Sequence, residues 1–155
     1  MTSEVRVRRM READLDQVLE IAAGLKDAPH WPRAAYEYAL GRDSTPRRIA
    51  LVAKEPGTGG VIGFAVAALI APQAEVETIA VSVAEQRRGI GKMLLCGMAE
   101  ELRAAGADEV LLEVRASNEG AREFYSSQGW CESGRRPRYY ADPEEDAVLM
   151  SLRLG

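Results

Sequence analysis

The chain has 155 residues, of which 46% are hydrophobic and 28% are charged, and its formal net charge is −4. This length fits one domain, over residues 1–155, with a sizeable core of its own. The small negative charge gives no global basic field for nucleic acid, and no apolar run is long enough to span a bilayer. His30 is the only histidine, and Cys96 and Cys131 lie far apart, which argues against a zinc site. We therefore expect a cytoplasmic monomer or homodimer with no metal and no direct nucleic-acid or membrane partner.

The N-terminal half predicts strands that surround two helices. Asp14 is predicted to cap the first helix, whose apolar residues recur at helical spacing, and Arg33–Leu40 is predicted to form the second. Residues 55–60 (EPGTGG) form the predicted turn of a hairpin. Four strands are predicted from alternating or β-branched runs: 4–9, 49–54, Val61–Ile70 and 75–83.

The C-terminal half predicts two more helices and three more strands. One helix starts within QRRGIGK (86–92), and Cys96 is assigned to its packed face. Its predicted apolar stripe is Ile90, Leu94, Met98, Leu102 and Ala105. The remaining predictions are a strand over Glu109–Arg115, a helix over 118–128, and strands over 130–134 and 147–153. The order β-α-α-β-β-β-α-β-α-β-β indicates a mixed α/β fold with helices packed against a sheet.

The QRRGIGK segment joins a strand to a helix and predicts a phosphate site. Gly89 and Gly91 leave room for a phosphate to reach free backbone N–H groups at the positive end of the helix. Arg87, Arg88 and Lys92 add positive charge for a polyphosphate. The segment lacks the dinucleotide fingerprint, because position 94 is Leu, and it lacks the P-loop spacing. Taken alone, it could equally be an ordinary glycine-rich turn.

Two longer runs resemble the GCN5-related N-acetyltransferases (GNAT). The run IAVSVAEQRRGIGKMLL resembles their pyrophosphate-binding motif, Q/R-x-x-G-x-G/A, and LLEVRASNEGAREFYSSQGW is similar to their second signature. The resemblance implies a mostly antiparallel twisted sheet with a splayed parallel strand pair, flanked by helices. It also implies that acetyl-CoA, as co-substrate, lies in the V-shaped opening of that pair. The residues that it assigns to acetyl-CoA are Ile79, Ala80, Val81, Arg87, Arg88, Gly89, Ile90, Gly91, Lys92, Asn118, Ala121 and Tyr125.

The tail narrows the resemblance to one branch of the family. LEVRASN together with RRPRYYADPEEDAVLM resembles the bacterial ribosomal-protein-alanine N-acetyltransferases (the RimI type), although Arg138 is an extra residue before the Tyr pair. This resemblance implies that the acceptor is a protein N-terminal amine. The alternatives are an enzyme that acetylates a small amine, a non-catalytic acyl-CoA-binding module, and an RNA-binding ribosomal accessory. The last would depend on residues 135–138 alone, a patch too small for tight RNA binding at physiological salt.

The acceptor amine must be neutral before it attacks the thioester. At pH 7 this costs about 1 kcal/mol for an α-amine and about 4.6 kcal/mol for Lys. Glu113 is the first candidate for the catalytic base, because it interrupts an apolar strand and the RimI-type resemblance places the base there. It could instead face solvent or pair with Arg115. Glu75 is the rival base, and Glu77 is expected to order water or to line the acceptor cleft.

Tyr125 is the candidate acid for the departing thiolate, since a phenol can donate a proton without ionising at rest. The resemblance assigns Asn118, on the same side of the helix, to the pantetheine arm. Tyr125 could instead be a core aromatic residue. With the resemblance, Tyr139 and Tyr140 are predicted to bind the acceptor, together with Glu75 and Glu77. Without it, the Arg- and Tyr-rich segment would be a solvated turn.

Overall fold

The computed structural model of the protein describes residues 4–25, 30–86 and 88–155. The strands are β1 (Arg6–Arg9), β2 (Arg47–Lys54), β3 (Val61–Ile70), β4 (Gln73–Val81), β5 (Glu109–Arg115), β6 (Cys131–Tyr140) and β7 (Glu145–Arg153). The helices are α1 (Leu15–Ala23), α2 (Arg33–Leu40), α3 (Ile90–Ala104) and α4 (Glu119–Ser127). The predicted order of elements and the mixed α/β class are both confirmed.

The strands form one seven-stranded sheet in the order β1-β2-β3-β4-β5-β7-β6. Every neighbouring pair is antiparallel except β4 and β5, which are parallel. The parallel pair consists of three residue pairs only, and it ends where Glu75 lies opposite Leu111. Beyond this point β4 continues along β3 while β5 continues along β7. The sheet therefore splits into a V-shaped opening, as the sequence predicted.

Helices cover the two faces of the sheet unequally. Helix α3 packs against β1 to β4 on one face, and its buried residues Ile90, Leu94 and Met98 join the larger core cluster. Helices α1 and α2 cover the other face of β2 and β3, where Tyr36 packs edge-on against Phe64. The smaller cluster does not extend to β5, β6 or β7. Part of that second face is therefore open to ligands.

A β-bulge in β4 changes which side chains face which core. Val66 of β3 pairs with Thr78, but the next residue, Ala67, pairs with Val76, so Glu77 is an extra residue. The extra residue shifts the alternation of the strand. Without the bulge, Val76 and Ala80 would face the same side of the sheet, because they are four residues apart. With it, Val76 and Ile79 pack in the α3 core, and Ala80 packs in the α1 and α2 core.

Two local predictions are wrong. The Asp14 carboxylate does not cap α1; it accepts hydrogen bonds from Arg8 (2.9 Å to each oxygen) and from the backbone N–H of Arg11 (2.8 Å). Cys96 is exposed, because the buried side of α3 is centred on Leu94 and Met98. At about 100° per residue, position 96 lies on the far side of the helix from Leu94.

The longest described helix, α3, has 15 residues. Among the described residues, no helix is long and apolar enough to cross a membrane.

Candidate active site

The backbone of β4 presents free groups to the V-shaped opening. The Ser82 N–H donates to the carbonyl of Ile62 on β3 (2.8 Å). Since antiparallel pairs alternate, the backbone groups of Ala80 also face β3, whereas those of Ile79 and Val81 face the opening. The Val81 carbonyl accordingly accepts from Gln86 Nε2 (3.3 Å) instead of from β3. Of the three predicted cofactor residues on β4, Ile79 and Val81 therefore have backbone groups turned toward a ligand, and Ala80 does not.

The start of α3 forms an uncapped helix N-terminus at the end of this opening. Gly89, the N-cap residue, has φ of 77°, a left-handed conformation that favours glycine, and no atom lies within 4 Å of the position that its Cβ would take. Within residues 4–25, 30–86 and 88–155, no side chain caps this helix, so the N–H groups of Ile90, Gly91 and Lys92 are available to an anion. The side chain of Lys92 is exposed.

Arg88 is one of two arginines predicted to bind the phosphates of acetyl-CoA, and the other, Arg87, lies outside the described residues. The Arg88 guanidinium contacts the carboxylates of Glu85 and Glu55, 3.2 Å from the latter. A phosphate at the start of α3 would compete with these carboxylates for Arg88.

The middle of α4 lies next to the start of α3. A Cβ on Gly91 would lie 3.4 Å from the Phe124 ring, so a larger side chain at this position would press against that ring. Asn118 caps α4 by accepting from the Ala121 N–H (3.1 Å). Asn118 and Ala121, both predicted to contact acetyl-CoA, thus fix the beginning of the helix that carries Tyr125.

Tyr125 is buried in the α3 core. Its ring packs against Trp130 (5.6 Å between centroids) and Phe124 (5.4 Å), and the residue is 8% exposed. Burial raises the pKa of Tyr125 to about 12. The phenol therefore keeps its proton at neutral pH, which suits a proton donor; the same packing also suits a core residue.

Glu113 lies on the open face of β5, opposite the buried Val114 and Leu112. Its side chain is only 17% exposed, because Arg136 Nε lies 3.1 Å from Glu113 Oε1. A hydrogen bond to Glu113, with the negative charge of that carboxylate, raises the pKa of Tyr139. The alternative partner Arg115 pairs instead with Glu145 (3.0 Å). Glu113 thus lies between a cation and a phenol, both from β6.

Glu75 shares this open face with Glu113. It pairs with Leu111 at the end of the parallel seam, and Glu113 follows two residues along β5. Partial desolvation and the negative charges of Glu113 and Glu77 raise the pKa of Glu75, and Arg136 opposes the shift. Because Glu75 is still exposed, we expect the net shift to be modest. Both candidate bases therefore lie at the same point of the opening.

Glu77 has a different environment from the one predicted. Its two carboxylate oxygens accept from Arg48 Nε (2.7 Å) and Nη2 (3.0 Å), a bidentate pair on the α2 side of the sheet. The bulge in β4 explains the placement, since Glu77 is the extra residue. This carboxylate links β4 to β2 through Arg48.

The Tyr pair lies in a strand, so the alternative of a solvated turn is wrong. Strand β6 continues to Tyr140, and its register with β7 shifts between Arg136 and Tyr140. The extra residue noted in the sequence, Arg138, lies within this irregular stretch at φ of 53°. The rings of Tyr139 and Tyr140 meet edge to face (5.1 Å), and the Arg115 guanidinium lies 4.4 Å from the Tyr140 ring centroid. Both rings border the carboxylates of the open face.

Comparison with known proteins shows the family to which the chain belongs. A sequence model of the acetyltransferase (GNAT) family matches residues 14–130. The chain belongs to the GNAT family of acetyltransferases. Over 94 residues it is 42% identical to the [ribosomal protein bS18]-alanine N-acetyltransferase of Salmonella typhimurium, a match that covers 59% of this chain and 64% of that protein. The chain thus spans somewhat less than two thirds of that relative's length.

An Escherichia coli relative gives a similar result in sequence and in structure. The [ribosomal protein bS18]-alanine N-acetyltransferase of strain K12 is 38% identical over 99 residues, which is 63% of this chain and 67% of that one. The crystal structure of the Escherichia coli ribosomal-protein-S18-alanine N-acetyltransferase superposes with a TM-score of 0.84 at 28% identity, covering 98% of this chain and 95% of that chain. The GNAT fold of this chain therefore extends beyond the matched sequence segment.

Two ion pairs of the candidate site were not predicted from the sequence. Arg136 contacts the Glu113 carboxylate, and Arg48 binds Glu77. Both contacts depend on strand register and on the bulge, which leave no local mark in the sequence. Among the described residues, no three His, Cys, Asp or Glu side chains are placed to share a metal ion.

Proposed function

We propose that this GNAT chain transfers the acetyl group of acetyl-CoA to the N-terminal α-amine of a protein whose first residue is small, with Ala preferred. The observation that carries the proposal is the split of the sheet after Glu75 and Leu111. It brings free backbone groups of β4 to the same opening as the carboxylates of Glu75 and Glu113. The relatives named for alanine acetylation of ribosomal protein bS18 support this acceptor class. Such an acceptor would place the enzyme in the cytoplasm.

Acetyl-CoA would bind along the opening. Its pyrophosphate would accept hydrogen bonds from the N–H groups at the start of α3, where the helix has no side-chain cap. Its pantetheine arm would run beside Ile79 and Val81, whose backbone groups face away from β3. The acetyl group would then lie near the end of the parallel seam, between the two carboxylates and the start of α4.

The reaction would proceed by direct attack. Glu113, or Glu75 in its place, accepts a proton from the ammonium group of the acceptor, directly or through water. The neutral nitrogen forms a bond to the acetyl carbon, and a backbone N–H of the opening stabilises the oxyanion that develops. The C–S bond then breaks, Tyr125 donates its proton to the departing thiolate, and the attacking nitrogen gives up its second proton, which returns through water to Tyr125. The products are the amide and CoA, and the proton held by the carboxylate base is released to solvent.

The acceptor side also favours an α-amine. Deprotonation of an α-amine costs about 3.5 kcal/mol less than that of Lys at neutral pH, so a single partly exposed carboxylate is sufficient. The rings of Tyr139 and Tyr140 border the same face and would contact the first residues of a peptide. We expect a peptide bound against these rings to have little space for a large first side chain.

A peptide screen tests the proposal. Peptides with an N-terminal Ala and an internal Lys are incubated with acetyl-CoA, with the α-amine or the ε-amine blocked, and the products are identified by mass spectrometry. We expect acetylation of the ε-blocked peptide and none of the α-blocked peptide. A first residue of Trp in place of Ala should lower kcat/KM. Acetylation that persists on the α-blocked peptide, or turnover confined to small free amines, would refute the proposed acceptor.

A further inference from the structure

A cavity of about 460 Å³ lies at the β1–β2 edge of the sheet, and Arg48, one of its lining residues, pairs with Glu77 of β4. It is enclosed by the ends of β1 and α2, the α2–β2 loop and the start of β2. Its lining residues are Arg9, Met10, Ala39, Leu40, Gly41, Arg42, Ser44, Arg47, Arg48 and Ala50. The volume is within the usual range of small-molecule sites, roughly 300–1,000 Å³. An apolar floor and a basic rim thus form one concave surface.

The rim carries unneutralised positive charge. Of its four arginines, Arg9 pairs with Glu101 and Arg48 pairs with Glu77. Arg42 and Arg47 are exposed, and neither has an ion-pair partner within the described part of the chain. Among the residues that the structure describes, no acidic residue lines the cavity. The cavity therefore attracts an anion although the chain as a whole is negatively charged.

The loop that carries Arg42 is held in place by hydrogen bonds. The Thr45 N–H donates to the Tyr38 hydroxyl at the end of α2 (2.9 Å). Arg48 Nη1 donates to Ser44 Oγ (3.1 Å), and Ser44 Oγ donates to the carbonyl of Pro46 (2.8 Å). A ligand at this site would not have to order the loop, which lowers the entropic cost of binding.

We propose that this cavity, here called the arginine cavity, binds an organic phosphate, a phosphate group attached to a small, partly apolar body such as a nucleoside. Guanidinium groups hold phosphate oxygens with paired N–H donors, and Arg42 and Arg47 have donors to offer. The floor formed by Met10, Ala39 and Ala50 suits the body of the ligand. At about 30 Å³ per water, the cavity has room for roughly fifteen waters, which is far more than one phosphate ion fills.

The arginine cavity is separate from the proposed pyrophosphate site. Arg48 is near the start of β2, whereas Glu55, which contacts Arg88 of the glycine-rich segment, directly follows the end of that strand. Seven residues of extended chain, at about 3.3 Å each, separate the two by roughly 23 Å. A single CoA molecule bound along the V-shaped opening would not fill the cavity as well.

Calorimetric titration of the full chain with adenosine 5′-monophosphate tests the proposal, both without acetyl-CoA and with acetyl-CoA at saturation. We expect 1:1 binding in both conditions. The double variant Arg42→Ser/Arg47→Ser should bind at least about tenfold more weakly, because it removes both free guanidinium groups. The matched control Arg103→Ser/Arg153→Ser removes the same charge from exposed positions elsewhere and should bind like the unmodified protein. Adenosine, which lacks the phosphate, should bind at least about tenfold more weakly than the monophosphate.

Three other outcomes would overturn the proposal, and a fourth would support it and identify the source of the phosphate. If both double variants bind the monophosphate with equal affinity, the monophosphate binds outside the arginine cavity. Inorganic phosphate that binds as tightly as the monophosphate would mean a simple anion hole with no role for the apolar floor. An absence of binding at millimolar monophosphate would remove the site. If a 5′-phosphorylated RNA hexamer binds much more tightly than the monophosphate, and this tighter binding is lost in Arg42→Ser/Arg47→Ser, the result supports the phosphate site. It would also identify nucleic acid as the source of the phosphate.

Discussion

The Glu113 carboxylate lies between Arg136 and Tyr139, and this arrangement determines how it can act as a base. Arg136 Nε lies 3.1 Å from Glu113 Oε1, so the ammonium group of an acceptor would have to share or replace this ion pair. Arg136 is itself largely exposed, so an incoming ammonium group could displace it. Glu75, at the end of the seam, has a raised pKa and is the second carboxylate within the same opening. Substitution of each carboxylate in turn can show which of the two is the base.

We expect Glu113→Gln to lower kcat by roughly 10²–10⁴, the usual contribution of one acid–base group. The loss should shrink at high pH, where the acceptor amine is already neutral. Steady-state kinetics between pH 6.5 and 9.5 measure both effects, with Glu75→Gln as the matched carboxylate variant. If Glu75→Gln is the crippled enzyme and Glu113→Gln is normal, the base is Glu75.

Tyr125 can be tested without disturbing the core. Tyr125→Phe keeps the ring that packs against Trp130 and Phe124 and removes only the hydroxyl. We expect kcat to fall with an unchanged Tm, because the phenol, whose pKa burial raises to about 12, is protonated throughout the assay range. Full activity of the variant would show that Tyr125 is a core residue only.

The sequence could indicate which residue types belong to the site but not their partners. Glu113 stands out because it interrupts an apolar strand. Its contact with Arg136 depends on the register of β5, β7 and β6, which brings together residues from separate parts of the chain. The ion pair between Glu77 and Arg48 could not be predicted for a similar reason, because a bulge cannot be read from an alternating run.

At the scale of single elements, the close approach of α3 and α4 at Gly91 supports the proposed phosphate site. The Cβ position of Gly91 is already in van der Waals contact with Phe124. The two methyl groups of a valine would press against this ring and move the first turn of α3. The N–H groups of that turn would then no longer converge on a phosphate.

We therefore expect Gly91→Val to raise the KM for acetyl-CoA at least about tenfold and to change the KM for the acceptor less. Initial-rate kinetics with each substrate varied in turn provide the measurement. Gly57→Val, in a turn where no atom lies within 4 Å of the Cβ position, is the matched control. An unchanged KM for acetyl-CoA in folded Gly91→Val would argue against phosphate binding at the start of α3.

The helices and most strands could be predicted because each buries one face and exposes the other. Helix α2 and strand β5 have the predicted bounds for this reason, whereas β3, which also has the predicted bounds, is an apolar run buried on both faces. Strand β6 was predicted to end at 134, because its residues from there to Tyr140 are mostly exposed on both faces and show no alternation. Its pairing with β7, and not its own hydrophobicity, makes it a strand.

At the scale of the whole molecule, Asp14 connects three segments. Its buried carboxylate binds Arg8 of β1 and the N–H of Arg11, and Lys54 of β2 lies 3.7 Å away. Burial alone would raise the pKa of Asp14, but the hydrogen bonds and positive charges outweigh it and lower the pKa. Asp14 therefore stabilises the folded chain fully above the unfolded value of about 3.9, and the contribution is lost as the pH falls through the lower folded value.

We expect Asp14→Asn to lower the free energy of unfolding by about 2–4 kcal/mol at pH 7, since it leaves Arg8 without its partner. Urea unfolding at pH 7 and at decreasing pH should show that the difference between variant and unmodified protein narrows below about pH 4. Asp16→Asn, which alters an exposed ion pair with Arg33, should change stability by less than about 1 kcal/mol. A difference that stays constant down to the lowest pH at which the protein is folded would contradict this account.

The three-pair seam between β4 and β5 also leaves an unpaired strand edge in the middle of the sheet. Edges with free N–H and C=O groups are templates for another strand, and proteins usually cover or charge them. Here the free edge of β4 runs beside Ile79 and Val81, inside the molecule, where the other arm of the V restricts access for a foreign chain. A narrow, extended molecule that carries its own amide groups can still enter. The break in the sheet would thus select ligands by shape. It would admit a narrow ligand that pairs with the free edge as a β-strand does, and it would exclude a strand of another protein.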